Sequence, residues 1–168
     1  MNKGSSSEAG RKRRQVAETD LPMRDFGHSL PMALLKAREA VMTRFRPMLR
    51  EHDVTEQQWR VLRALAESQE MEVTELARRS FILSPSLSRI LQNLEARALV
   101  RRRTVREDQR RALICITAKG KRLFERVAPH SEAHYADITS AFGDRKLESL
   151  YRLLGDLEAS LNRRDTGT

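Results

Sequence analysis

The chain has 168 residues, with 32 Lys/Arg against 23 Asp/Glu and a formal charge of +9, so it is long enough to bury a real core and basic enough to attract polyanions. A single cysteine, Cys115, excludes an internal disulfide framework and, with only four histidines, leaves no complete zinc-ligand pattern. No apolar run approaches the ~20 residues that span a bilayer and Met1 to Arg14 holds no apolar secretory core, so the expectation is a cytoplasmic protein without membrane partner, metal or cofactor.

Residues 1–29 are rich in Ser, Gly and charge, with Arg11-Lys12-Arg13-Arg14 as a basic cluster, and read as a disordered tail. Order is expected from Leu30, where Leu34, Leu35, Ala37, Val41, Met42 and Phe45 recur at helical spacing. Pro47 is expected to kink this helix or end its regular hydrogen bonding, because proline donates none. The next helix opens on Thr55-Glu56-Gln57-Gln58, a capping box, and carries Trp59, Leu62 and Leu65 as an apolar stripe. A polar stretch from Glu67 to Glu72 then leads to a short helix over 75–81, with Thr74 as its cap.

Ser84 is read as the N-cap of a further helix over 85–97, with Pro85 at its first position. Leu87, Ile90, Leu91 and Leu94 follow i, i+3, i+4, i+7 and turn inward, which sends Ser88, Arg89, Gln92 and Asn93 outward. Arg pairs with guanine, Gln or Asn with adenine, and Ser with either base, while Ser84 and Ser86 sit where a phosphate would meet the helix start. Two β-prone runs follow, Val100 to Val105 and Ala112 to Thr117, joined by the polar turn Arg106-Glu107-Asp108-Gln109-Arg110. Arg110 and Arg111 near the tip suit a narrow minor groove, and Asp108 either braces an arginine or simply forms the turn. Thr117 caps the next helix, which begins with Lys119 and Gly120 in its first turn.

A helix followed by a basic hairpin is the layout of a winged helix-turn-helix, which presents one element to each of two DNA grooves. Residues 73–126 hold fourteen Lys/Arg against five Asp/Glu, and the rest of the chain balances, so the whole net charge lies on this module. A solvated basic face is the bland reading of the charge alone. The helix-hairpin order favours double-stranded DNA.

Asp108-Gln109-Arg110 followed by Ile116-Thr117-Ala118-Lys119-Gly120 resembles the Asp-x-Arg…Leu-Thr-x-x-Gly wing signature of the MarR family, with Ile116 in place of leucine. The stretches Ala33 to Ala40, Phe45-Arg46-Pro47-Met48 and Val54 to Arg63 resemble its homoprotocatechuate-degradation regulators, and the likeness runs from Leu30 to Leu161. The resemblance implies a mainly α fold with a small β-hairpin wing, a winged helix-turn-helix over 55–123, and a homodimer joined through helices of 30–54 and 124–162, with 163–168 as a tail. Leu147, Leu150, Leu154, Leu157 and Leu161, three and four residues apart, supply a seam for a partner helix. Two-fold symmetry then predicts a pseudo-palindromic operator with half-sites ~10 bp apart.

The resemblance further implies a repressor released by a small aromatic acid bound between the dimerisation helices and the DNA-binding module. Arg38, with Arg46 second, matches the subgroup's pattern for a carboxylate anchor; His52 would meet a hydroxyl and Trp59 would form an aromatic wall. The alternatives are that Arg38 pairs with an acid at the dimer interface and that Trp59 is core. Two other functions stay open: a redox- or stress-responsive regulator through Cys115, which a β-prone run favours burying, and a non-specific basic nucleic-acid binder. An aromatic content of 5% argues against an RNA stacking platform. An enzyme is excluded on the residues: no nucleophile stands beside a base and no glycine loop cradles phosphate.

Overall fold

The computed structural model describes residues 25–105 and 108–165, and the side chains of these except 104–111, 164 and 165. The chain divides into two compact units, residues 1–35 and 36–168. In the first, a single 3₁₀ turn, Phe26–His28, precedes the opening turns of helix α1, which spans Leu30–Glu51. The second holds the rest of α1, α2 (Glu56–Ser68), β1 (Glu70–Glu72), α3 (Val73–Ser80), α4 (Ser84–Ala96), β2 (Val100–Val105), β3 (Asp108–Ile116), α5 (Ala118–Phe142) and α6 (Asp144–Asp165). No helix among the described residues is long and apolar enough to cross a membrane.

The capping box forms as the residues require. Thr55 Oγ1 accepts from the Gln58 amide at 3.2 Å, and Gln58 Oε1 accepts from the Thr55 amide at 3.0 Å. Helix α1 runs through Pro47 to Glu51; the proline removes the amide that would bond the Thr43 carbonyl, and both residues are exposed, so water can replace it. Two expectations need correction. Helix α3 starts at Val73 with Glu72 as N-cap and no side-chain bond, so Thr74 lies inside the helix. Helix α4 likewise caps on Leu83, which places Ser84 in its first turn and Pro85 one position further in than expected.

The wing is a three-stranded antiparallel sheet in the order β1-β3-β2. Met71 faces Ile114 on one side of β3, and Arg102 faces it on the other. Strand β1 is an addition to the two expected runs, because Glu-Met-Glu offers only one buried residue, too short a run for alternation to register. Between Thr104 and Val105 the β2-β3 register shifts, so Val105 pairs with Asp108 while Thr104 pairs with Ala112.

The core gathers Leu62 and Leu65 of α2, Leu76 of α3, Leu87, Leu91 and Leu94 of α4, Ile114 of β3 and Val127 of α5, each wholly buried. Gly120 sits where α5 crosses the end of α4's exit loop: a β-carbon there would lie 2.1 Å from the Leu99 carbonyl oxygen. Thr117 locks the same crossing, donating to the Ala98 carbonyl at 2.7 Å and accepting from the Gly120 amide at 3.0 Å. That geometry is the physical content of the Thr-x-x-Gly spacing. By contrast, no described residue of α6 is buried, and its Leu150, Leu153, Leu154 and Leu161 are 37–57% exposed.

Candidate nucleic-acid interface and effector cavity

Helix α4 divides into the two faces its periodicity requires. Leu87, Leu91 and Leu94 are buried, Ile90 is half-buried, and Ser84, Ser86, Ser88, Arg89, Gln92 and Asn93 are exposed. Ser88 turns its hydroxyl back onto the Ser84 carbonyl at 3.1 Å. Asn93 accepts from Gln58 Nε2 at 2.8 Å, a bond to a buried α2 side chain that holds it against the protein. Because Leu83 offers no capping side chain, the amides of Ser84 and Ser86 remain for an anion such as a DNA phosphate.

On the wing, Arg101, Arg102 and Arg103 are exposed. Arg103 donates to both Glu70 oxygens at 2.9 and 3.0 Å, and Arg102 Nε lies 3.6 Å from Glu95. The Arg103 guanidinium and, after it, the Cys115 thiol hold the Glu70 carboxyl below its ordinary range. Cys115 is buried and donates to Glu70 at 3.4 Å, as its place in a β run led one to expect. Asp108, Arg110 and Arg111 belong to β3, but their side chains, and the turn at 106–107, lie outside the described residues.

A cavity of about 300 Å³ opens between α1, α2 and α5, walled by Val41, Met42, Phe45, Trp59 and Tyr135 and edged by Arg38, Arg60, Arg63 and Glu56. Trp59 is buried and stacks on Phe124, with centroids 5.4 Å apart and planes at 21°. Of the expected ligand residues, the structure brings Arg38 and Trp59 to this cavity. Arg46 and His52 do not line it. Arg46 reaches Glu39 at 2.7 Å and Glu56 at 3.5 Å, and His52 lies beside His130, with ring centroids 5.5 Å apart.

Arg38 itself is bonded to Glu39 at 2.8 Å and to Glu56. Two arginines and two glutamates thus balance one another, and Arg46 foremost holds the Glu39 carboxyl below its usual range. Arg63 differs: its Nη1 donates to the Tyr135 hydroxyl at 3.1 Å, its guanidinium lies 5.9 Å from that ring's centroid, and no carboxylate among the described residues pairs with it. Sequence reasoning passes over Arg63, although it stands four residues from Trp59 and so on the same helix face. Tyr135 gives no such signal, being 72 residues from its partner.

Comparison with known proteins places this geometry. A MarR family model matches residues 52–111. The homoprotocatechuate degradative operon repressor of Escherichia coli is 43% identical over 136 residues, covering 81% of this chain and 92% of that protein. Among solved structures, NadR in complex with 4-hydroxyphenylacetate is 39% identical with a TM-score of 0.70, over 82% of this chain and 97% of that one. The repressor CouR bound to a 23-mer DNA duplex is 26% identical with a TM-score of 0.73, over 83% and 99% of the two chains. The Escherichia coli operon repressor and CouR are transcriptional repressors rather than enzymes, and the chain belongs to the MarR family of DNA-binding regulators.

Proposed function

We propose that the protein is a dimeric repressor of an aromatic-acid catabolic operon, released from a pseudo-palindromic operator when a small aromatic carboxylic acid enters the cavity between α1, α2 and α5. The observation that carries this reading is Arg63, a cation without a carboxylate partner among the described residues, beside a phenol and the buried Trp59. A guanidinium gives a carboxylate two parallel bonds, and an indole wall suits a flat ring. Arg63 therefore takes the anchoring role expected of Arg38, whose charge Glu39 and Glu56 already meet. The relative solved with 4-hydroxyphenylacetate supports the ligand class.

Release is a linkage between two equilibria. An acid that binds better to a dimer with misplaced recognition helices lowers DNA affinity by its differential affinity, about 1–3 kcal/mol per coupled event. The test is gel shift on a duplex that the protein selects from a random pool, titrated with 4-hydroxyphenylacetate at equal starting occupancy for each variant. Arg63→Met is expected to raise the half-release concentration by about 10- to 150-fold, the worth of a charge-assisted bond of about 1.5–3 kcal/mol. An unchanged titration would remove Arg63 from the site.

The outward face of α4, with Ser84, Ser86, Ser88, Arg89 and Gln92, is read as the base- and phosphate-contacting surface, and the wing's Arg110 and Arg111 with Asp108 as its groove-following tip. Asn93 contributes through the position that Gln58 gives it. Arg89→Ala is expected to cost about 1–3 kcal/mol on the selected duplex and little on a scrambled one. Equal losses on both would make Arg89 a phosphate contact.

A further inference from the structure

Arg60 joins the cavity to the turn that launches the recognition helix. It follows Trp59 on α2 and edges the cavity, yet its Nη1 donates to the Ser80 carbonyl at 2.7 Å and reaches that of Phe81 at 3.4 Å. Ser80 ends α3, and Phe81 caps it in the left-handed region at φ 49°, two residues before the Leu83 cap of α4. The last carbonyls of a helix lack amide partners, and a cation there also meets the negative end of the helix dipole. Arg60 fills both needs from a neighbouring helix.

The same side chain is incompletely satisfied. Its Nε is buried and has no hydrogen-bond partner among the described residues. Burial, and after it the charge of Arg38, works against the protonated form. A buried donor left unmatched is a standing cost that an incoming acceptor can remove.

We propose that Arg60 is the residue through which occupancy of the cavity is transmitted to α4: an anionic ligand draws its guanidinium away from the Ser80 and Phe81 carbonyls, and this movement uncovers the buried Nε to the ligand. This rests on the cavity being the effector site. Two arrangements compete. One bonds the turn and leaves Nε unmatched; the other pairs Nε and a neighbouring N–H with both oxygens of a carboxylate and leaves the turn to water, which reaches it on the exposed Phe81 side. Without its brace, the strained Phe81 cap no longer fixes where α4 starts, and the helix loses its docking position. The ligand's charge is thus essential to release, and a neutral isostere of the same shape fills the cavity without moving the turn.

The test measures affinity for the selected duplex with and without saturating 4-hydroxyphenylacetate or its primary amide, for wild type and Arg60→Met. In wild type the acid weakens DNA binding by about tenfold or more and the amide by less than about twofold. In Arg60→Met, DNA affinity is already reduced, calorimetry still records binding of the acid, and the ratio with and without acid falls below about twofold. A wild-type ratio in Arg60→Met overturns the proposal, as does release by the amide equal to that by the acid. A wild type indifferent to the acid overturns the effector reading itself, and the coupling with it. Should Arg60→Met fail to fold by circular dichroism, the Arg60 Nε–H resonance of the wild type, assigned by its loss in Arg60→Lys, decides: the acid shifts it and slows its solvent exchange, and a signal unmoved by saturating acid overturns the assignment.

Discussion

On the proposed dimer, replacing Leu150 and Leu154 together by lysine is expected to give a monomer and to lower affinity for a two-half-site duplex by about 10²–10⁴, the advantage that linked binding confers. The row of leucines on α6 is helically spaced, yet Leu150 is 40% exposed, Leu154 37% and Leu161 54%. Exposed apolar rows of this length mark contact surfaces, and a second copy of the same row satisfies the symmetry that a palindromic operator requires. Lysine ammonium groups in that seam would lie opposed across the two-fold axis. Sedimentation at micromolar concentration reads the dissociation, gel shift reads the affinity, and circular dichroism separates dissociation from unfolding. A double variant that still sediments as a dimer would place the interface elsewhere.

Gly120→Ala is expected to destabilise the fold by about 2–3 kcal/mol, although alanine favours a helix over glycine by ~1 kcal/mol. The obstacle is backbone: the added carbon would stand 2.1 Å from the Leu99 carbonyl oxygen and 2.9 Å from Ile116 Cγ1, and no rotamer can relieve the first contact. Because Leu99 follows α4 and Ile116 ends β3, the strain would push α5 away from both the α4 exit loop and the end of the wing. Urea unfolding monitored at Trp59 measures the loss. Wild-type stability in this variant would mean that the crossing relaxes without cost.

The local chemistry of the chain is legible in its residues alone. The Thr55–Gln58 box, the Thr117 cap and the inward leucines of α4 depend on residues three to seven apart, so helix geometry by itself places them. The wing signature is recognisable as letters, and the charge excess points to one module of the chain. Helix starts at Val73 and Ser84 are less accessible, since Thr74 and Ser84 are good caps by type and only the packed backbone determines that Glu72 and Leu83 hold those positions.

Tertiary structure decided the candidate cavity. Arg38, Arg46 and Arg63 are alike as letters in one amphipathic region; folding sets Glu56 against the first two and Tyr135 against the third, and so leaves Arg63 without an acidic partner among the described residues. The same holds for Arg60, whose partners lie 20 and 21 residues away, and for β1, which exists only because β3 presents an edge to it. Helical periodicity and caps are encoded within a few residues of chain, whereas charge balance and unmatched donors depend on which distant groups the core brings together.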